Sequence, residues 1–266
     1  MEIKFIYLLT SIVLIFSSIS YTQNVSENIR SNNKKYFVSD LQKQVDILQY
    51  HLSLDLNTED KILSGTAKLT ATKNPKLSLE PELDLELNLY DNMIVSSIKV
   101  NGANAEYSRN KNRLYIQPAV ELSDTFEIEL VYNGTPKKSG FDGFVFGEVN
   151  GQSLVYNISE PIYSPTWFPC DDDPSDKFFL DIVITNDSQF VSVSNGNLID
   201  VEVKGDKKSY HYKTVYPIST YLVAVYSAPY KSFNDLYKGL EGNDSMKIEY
   251  YVMPEHFEES RIDFAD

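Results

Sequence analysis

The feature that most constrains this chain is a recurring alternation of apolar and polar residues. It is clearest in "VDILQYHLSLDLN" (Val45 to Asn57). Side chains two apart share a face only in an extended strand. Strict alternation puts Leu48, Tyr50, Leu52, Leu54 and Leu56 inward, with Ile47, Gln49 and His51 outward. "TEDK" then turns, and "ILSGTAKLTAT" returns as the second arm of a hairpin. "LDLELNLYDN" alternates again, with Leu83, Leu85, Leu87 and Leu89 on one face. "MIVSSIKVNG" ends in Asn-Gly, whose residues tolerate the positive φ angles of a tight hairpin turn. Similar runs recur to residue 253, roughly a dozen in all, with no helical period between them. The expected fold is all-β: a sandwich or one large curved sheet.

The two ends read differently. Lys4 precedes the apolar run Phe5 to Phe16, and small and polar residues follow it. This layout predicts a secretory signal over residues 1–22, cleaved between Ser20 and Gln23, and hence an exported protein with no membrane span once the signal is removed. Its final place would be periplasm, cell surface or medium. No Cys follows the run closely, which excludes a bacterial lipoprotein. Residues 23–37 read as a polar leader, and residues 38–253 as the β domain. Pro254 then opens a helix with Glu255, Glu258 and Glu259 in its first turns and Phe257 and Phe264 on one face. Nothing left in the sequence covers that face, so residues 254–266 read as the start of an element that leads into a missing domain.

Composition narrows the function classes. Lys and Arg number 24 against 38 Asp and Glu, a formal charge of −14, which excludes a nucleic-acid partner that needs a basic face. The single Cys, Cys170, allows no intrachain disulfide. His51, His211 and His256 are far apart, H-E-x-x-H does not occur, and the strand histidines read as ordinary sheet residues.

The oddest stretch is "SEPIYSPTWFPCDDDPSDK" (Ser159 to Lys177), with four prolines, the only Trp and the only Cys. Three successive carboxylates cannot all face one ion, and Cys170 is a soft ligand among hard ones, so a self-contained metal site is not expected. Acids after Cys170 would raise its pKa, which disfavours a nucleophile. Glu160 stands apart. Pro161 keeps it extended and off any helix. On the residues alone it is either a solvated loop acid or a rigid anchor for a ligand ammonium group.

This stretch resembles the F-P-C-x-D-x-P-x-x-K segment of zinc aminopeptidases of the aminopeptidase N type, through Phe168, Pro169, Cys170, Asp172, Pro174 and Lys177. Asp46, Tyr50, Leu52 and Leu54 resemble the family's opening strand. Ser219, Thr220, Tyr221, Leu222 and Ala224 resemble its M-S-T-Y-L-x-A-F strand. The resemblance covers about residues 38–266. It implies a saddle-like N-terminal β domain that packs on a zinc-bearing catalytic domain. The family's G-x-M-E-N and H-E-x-x-H motifs do not occur in these 266 residues. The resemblance therefore implies zinc in the complete enzyme, none bound by this chain alone, and no hydrolysis by it. The substrates implied are peptides with a free N-terminus. Eight residues before Phe168 the family places a Gln or Glu that binds the substrate α-amine, which here is Glu160. Ile162 and Tyr163 would line the pocket for the first residue. Many relatives have Arg three before the aromatic, where this chain has Pro165. A non-enzymatic surface β domain is the alternative. A carbohydrate-binding sandwich would need stacking aromatics on an open face.

Overall fold

A computed structural model of the chain describes residues 38–74, 84–138, 143–239 and 245–264. The expected signal and leader (1–37) and Leu83 lie outside the described residues. The described residues from Asp40 onward form one compact unit.

The alternating segments form seventeen strands among the described residues. β1 (Val45–Asn57) and β2 (Ile62–Lys73) form the first hairpin. β3 (Leu85–Asn88), β4 (Met93–Val100), β5 (Ala103–Asn104), β6 (Glu106–Asn110), β7 (Arg113–Gln117) and β8 (Thr125–Gly134) follow. β9 (Gly143–Val149) and β10 (Gln152–Ile158) are a hairpin that runs into the proline-rich stretch. Beyond it come β11 (Phe179–Asp187), β12 (Val191–Ser194), β13 (Asn197–Lys204), β14 (Lys207–Lys213), β15 (Val225–Ala228), β16 (Lys231–Lys238) and β17 (Ser245–Val252). Asn101 and Gly102 have φ of 50° and 79°, the left-handed pair that an Asn-Gly hairpin turn requires.

Eight strands make the main sheet, in the order β13-β14-β11-β1-β2-β8-β4-β5. A four-stranded sheet (β12-β15-β10-β9), a three-stranded sheet (β3-β7-β6) and the β16-β17 ribbon complete the architecture. β1 pairs with β2 antiparallel and with β11 parallel, so it is bonded along both edges. Its inward residues Tyr50, Leu52, Leu54 and Leu56 join Leu63, Leu69, Ile128, Leu130, Leu180, Ile182 and Ile184 in one core. Burial of this apolar surface, on the order of 1.5–3 kcal/mol per large side chain, drives assembly of the sheets.

Strict alternation fails near the start of β1. Ile47 is 2% exposed and Leu48 is 41% exposed, the reverse of the expected pattern. The β1–β2 register slips between Ile47 and Gln49, and the extra residue Leu48 turns every side chain before it to the opposite face. Arg113 meets the buried Glu86 carboxylate of β3 at 2.5 Å, so that charge is paired at the edge of the core. Pro254 opens a single 3-10 turn, Pro254–His256, and the α-helix itself spans Phe257–Phe264. The expectation that nothing covers its apolar face needs correction at Phe257, while the Phe264 side chain lies outside the described residues. Phe257 packs edge-on against Phe233 of β16, with ring centroids 5.9 Å apart, while Ile262 stays exposed. No described helix is long and apolar enough to cross a membrane.

Candidate functional site

The connection from β10 to β11 begins with a buried clamp. Ser159 follows β10 and is buried. Its hydroxyl accepts hydrogen bonds from Trp167 Nε1 (3.0 Å) and Asn157 Nδ2 (2.9 Å). Asn157 also donates to the Val223 carbonyl (2.8 Å) and accepts from the Val225 amide (2.6 Å). The start of the connection is thereby tied to the segment before β15. The Tyr163 amide donates to the Ser159 carbonyl (2.7 Å) and closes a turn around Glu160, Pro161 and Ile162. The Glu160–Pro161 peptide bond is cis. Glu160 is exposed in this turn, and Ile162 and Tyr163 are half-buried.

Trp167 and Phe168 fix the turn from below. Both are fully buried, with ring centroids 4.4 Å apart, and Trp167 also packs on Phe144 at 5.3 Å. Phe168 meets Tyr50 of β1 edge-on at 5.8 Å, and Tyr50 packs on Phe178 at 4.3 Å. Tilted and edge-on aromatic contacts of this kind add to the burial energy itself.

The acids that follow face the protein rather than an open cleft. Cys170 exchanges backbone hydrogen bonds with Asn88 at the end of β3. The Asp171 carbonyl accepts from Gln42 (2.9 Å) and Asn88 (3.0 Å). Asp176 accepts from the Ile47 amide (3.1 Å), which the bulge at Leu48 leaves beside it. Asp172 lies in the left-handed region (φ 58°), which Asp tolerates better than most residues, and accepts from the Thr220 hydroxyl (3.3 Å). Ser219 donates to the Pro174 carbonyl (2.8 Å). Phe168, Pro169 and Cys170 are buried, whereas Pro174 and Lys177 are exposed. The first strand, the proline-rich connection and residues 218–224 are far apart in sequence and meet in this one place.

Burial sets the protonation of these groups. It pushes the Asp172 carboxyl up to about 7 and the Asp176 carboxyl up to about 6. Asp171 is raised further by burial and by the charge of Asp176. Burial also raises the Cys170 thiol well above its usual value, which leaves it a poor nucleophile. Among the described residues, no group of three or more His, Cys, Asp and Glu side chains is arranged to hold a metal ion.

One cluster escaped the sequence reading. His51 of β1 and His211 of β14 both contact the Asp181 carboxylate of β11, at 3.0 and 2.8 Å. Alternation places each of them outward but cannot show which strands are neighbours.

A model described as the peptidase M1 N-terminal domain matches residues 47–222, more than half of the chain. The chain belongs to the peptidase M1 family. Curated relatives of this M1 chain include a probable aminopeptidase 2 of Sulfurisphaera tokodaii, 22% identical over 191 residues, which cover 72% of this chain and 23% of the relative. Aminopeptidase M1-A of Oryza sativa subsp. japonica is 33% identical over 100 residues, which cover 36% of this chain and 11% of the relative. The M1 chain thus spans about a quarter or less of the length of these relatives. Solved structures share the fold. An M1 zinc metallopeptidase mutant of Deinococcus radiodurans, bound to a Tyr-Ser-Ala substrate, superposes with a TM-score of 0.66 at 22% identity, covering 78% of this chain and 48% of that one. Legionella pneumophila aminopeptidase A, in complex with aspartic acid, gives 0.70 at 22% identity, covering 81% and 25%.

Proposed function

We propose that this M1 chain is the substrate-anchoring N-terminal domain of an exported zinc aminopeptidase, with Glu160 as the anchor for the peptide's free α-amine. One observation carries the reading. Glu160 is a solvent-facing acid in a turn whose base, Ser159, is clamped by Trp167, Asn157 and Tyr163. A carboxylate on a fixed base loses little freedom when it accepts a charge-assisted hydrogen bond from an ammonium group. That contact marks the first residue of a peptide and rejects a blocked terminus. Ile162 and Tyr163, in the same turn, supply apolar surface for the first side chain.

The substrates proposed are peptides with a free N-terminus, like the Tyr-Ser-Ala of the Deinococcus relative. Zinc and the groups that act with it are assigned to a catalytic domain outside the described residues, which do not fit a metal, so no step within this chain runs through it. Export rests on the apolar run Phe5 to Phe16 with Lys4 before it.

The test is kinetic and uses the complete enzyme. Glu160→Ala should raise KM for an aminoacyl-nitroanilide and reduce discrimination against the N-acetylated analogue. Unchanged kinetics would remove Glu160 from the site. Purified residues 23–266 alone should release no nitroaniline, and zinc-dependent release by them would overturn the assignment of catalysis to another domain.

A further inference from the structure

The outer face of the main sheet holds a second arrangement, unrelated to the Glu160 turn. Ser53 and His51 are two apart on β1, so both side chains leave the face opposite Leu52 and Leu54. The Ser53 hydroxyl lies 3.3 Å from His51 Nε2. The other ring nitrogen, Nδ1, lies 3.0 Å from Asp181 Oδ1 on the parallel strand β11, where His51 and Asp181 are register partners. With the ring proton on Nδ1 and donated to Asp181, Nε2 is left as an acceptor for the Ser53 O–H. This is the order of contacts by which a serine is activated: hydroxyl, imidazole, carboxylate.

The carboxylate is held in place for that role. Asp181 has a side chain only 13% exposed. His211 Nε2 donates to its Oδ1 at 2.8 Å, and the Lys213 ammonium lies 3.6 Å from its Oδ2. A fixed carboxylate fixes the tautomer and orientation of His51. His51 itself is 42% exposed, and Ser53 is half-buried, so both are open to a small reagent. The strand also limits what such a serine can do. β1 is bonded on one edge to β2 and on the other to β11, so backbone N–H groups are not free to build an oxyanion hole. Unactivated amides are therefore beyond reach, and electrophiles with good leaving groups are not.

We propose that Ser53 is an activated nucleophile, with His51 as its base and Asp181 as the residue that positions His51, and that it accepts phosphonyl or acyl groups from activated reagents. With a phosphonofluoridate, the Ser53 oxygen bonds to phosphorus as its proton passes to His51 Nε2. The P–F bond breaks, and fluoride leaves into solvent.

The experiment treats the whole 266-residue chain with a fluorophosphonate probe and maps the adduct by peptide mass spectrometry. The expected result is one adduct, on Ser53, absent from Ser53→Ala. His51→Gln should slow its formation on the order of a hundredfold, the usual contribution of a positioned base. For wild-type protein the labelling rate should fall in deuterated water, because a proton moves in the rate-limiting step. That measurement stands even if the His51 variant does not fold. An unlabelled Ser53 in the wild type, equal rates in folded His51→Gln, or equal rates in the two solvents would each overturn the proposal.

Discussion

Glu160 and Asp172 lie twelve residues apart in one connection and have opposite surroundings. Glu160 stands in solvent on a turn whose base is buried. Asp171 is buried and Asp172 and Asp176 are half-buried; each is hydrogen-bonded to other segments, Asp171 through its backbone carbonyl, and each carboxyl is shifted toward the protonated state. The difference separates two uses of one charge type. An exposed carboxylate on a stiff base remains available to a partner, while a buried one is consumed by the protein's own amides and hydroxyls.

The comparison can be broken in four ways, taken from the largest effect downward. Trp167→Ala removes the donor to Ser159 and leaves a cavity beside Phe144 and Phe168. It should cost about 3–5 kcal/mol, read from a denaturant titration, and loosen the Glu160 turn at the same time. If stability holds, the turn has another support.

Asp172→Asn tests the buried acids. A carboxyl with a higher pKa when folded binds its proton more tightly in the folded state. The stability from that proton is fully present below the ordinary carboxylate value of 3.8 and is lost as pH rises through about 7 for Asp172 and about 6 for Asp176. Wild-type Tm should therefore fall between pH 5 and pH 8 through these groups. Asn keeps the left-handed conformation without the charge. The variant should gain roughly 3–6 °C at pH 8, the equivalent of about 1–2 kcal/mol, and little at pH 5. Equal gains at both pH values would show that Asp172 does not titrate in this range.

Tyr50→Phe is smaller. The buried Tyr50 hydroxyl has no hydrogen-bond partner among the described residues. Its removal should leave the urea midpoint unchanged or raise stability by about 1 kcal/mol. Glu160→Ala should be the smallest, within about 0.5 kcal/mol by the same titration. A larger loss would place Glu160 with the structural acids.

The β class was legible because alternation is a local signal, and the Asn-Gly turn at Asn101 and Gly102 was legible for the same reason. The inversion of Ile47 and Leu48 was not. A bulge depends on what the partner strand and Asp176 require, and neither lies nearby in sequence. The acids of the proline-rich stretch could be read as a poor metal site from their spacing. Their actual partners (Gln42, Asn88, Ile47, Thr220) could not, because they come from elements brought together only by folding. Glu160 was singled out by a motif and not by its own chemistry, since an acid before a proline looks the same in any loop. Ser53, His51 and Asp181 were invisible as a group, because His51 and Asp181 are 130 residues apart.

That separation also bears on how the chain assembles. β1 sits in the middle of the main sheet, yet its parallel neighbour β11 ends at Asp187. Local hairpins such as β1–β2 can close early, but the β1–β11 pairing must first close a very long loop. Until residues 179–187 have been made, the long free edge of β1 is open to pairing with another chain. Any shortened product that stops before β11 should therefore be caught by aggregation or proteolysis rather than persist as a smaller domain.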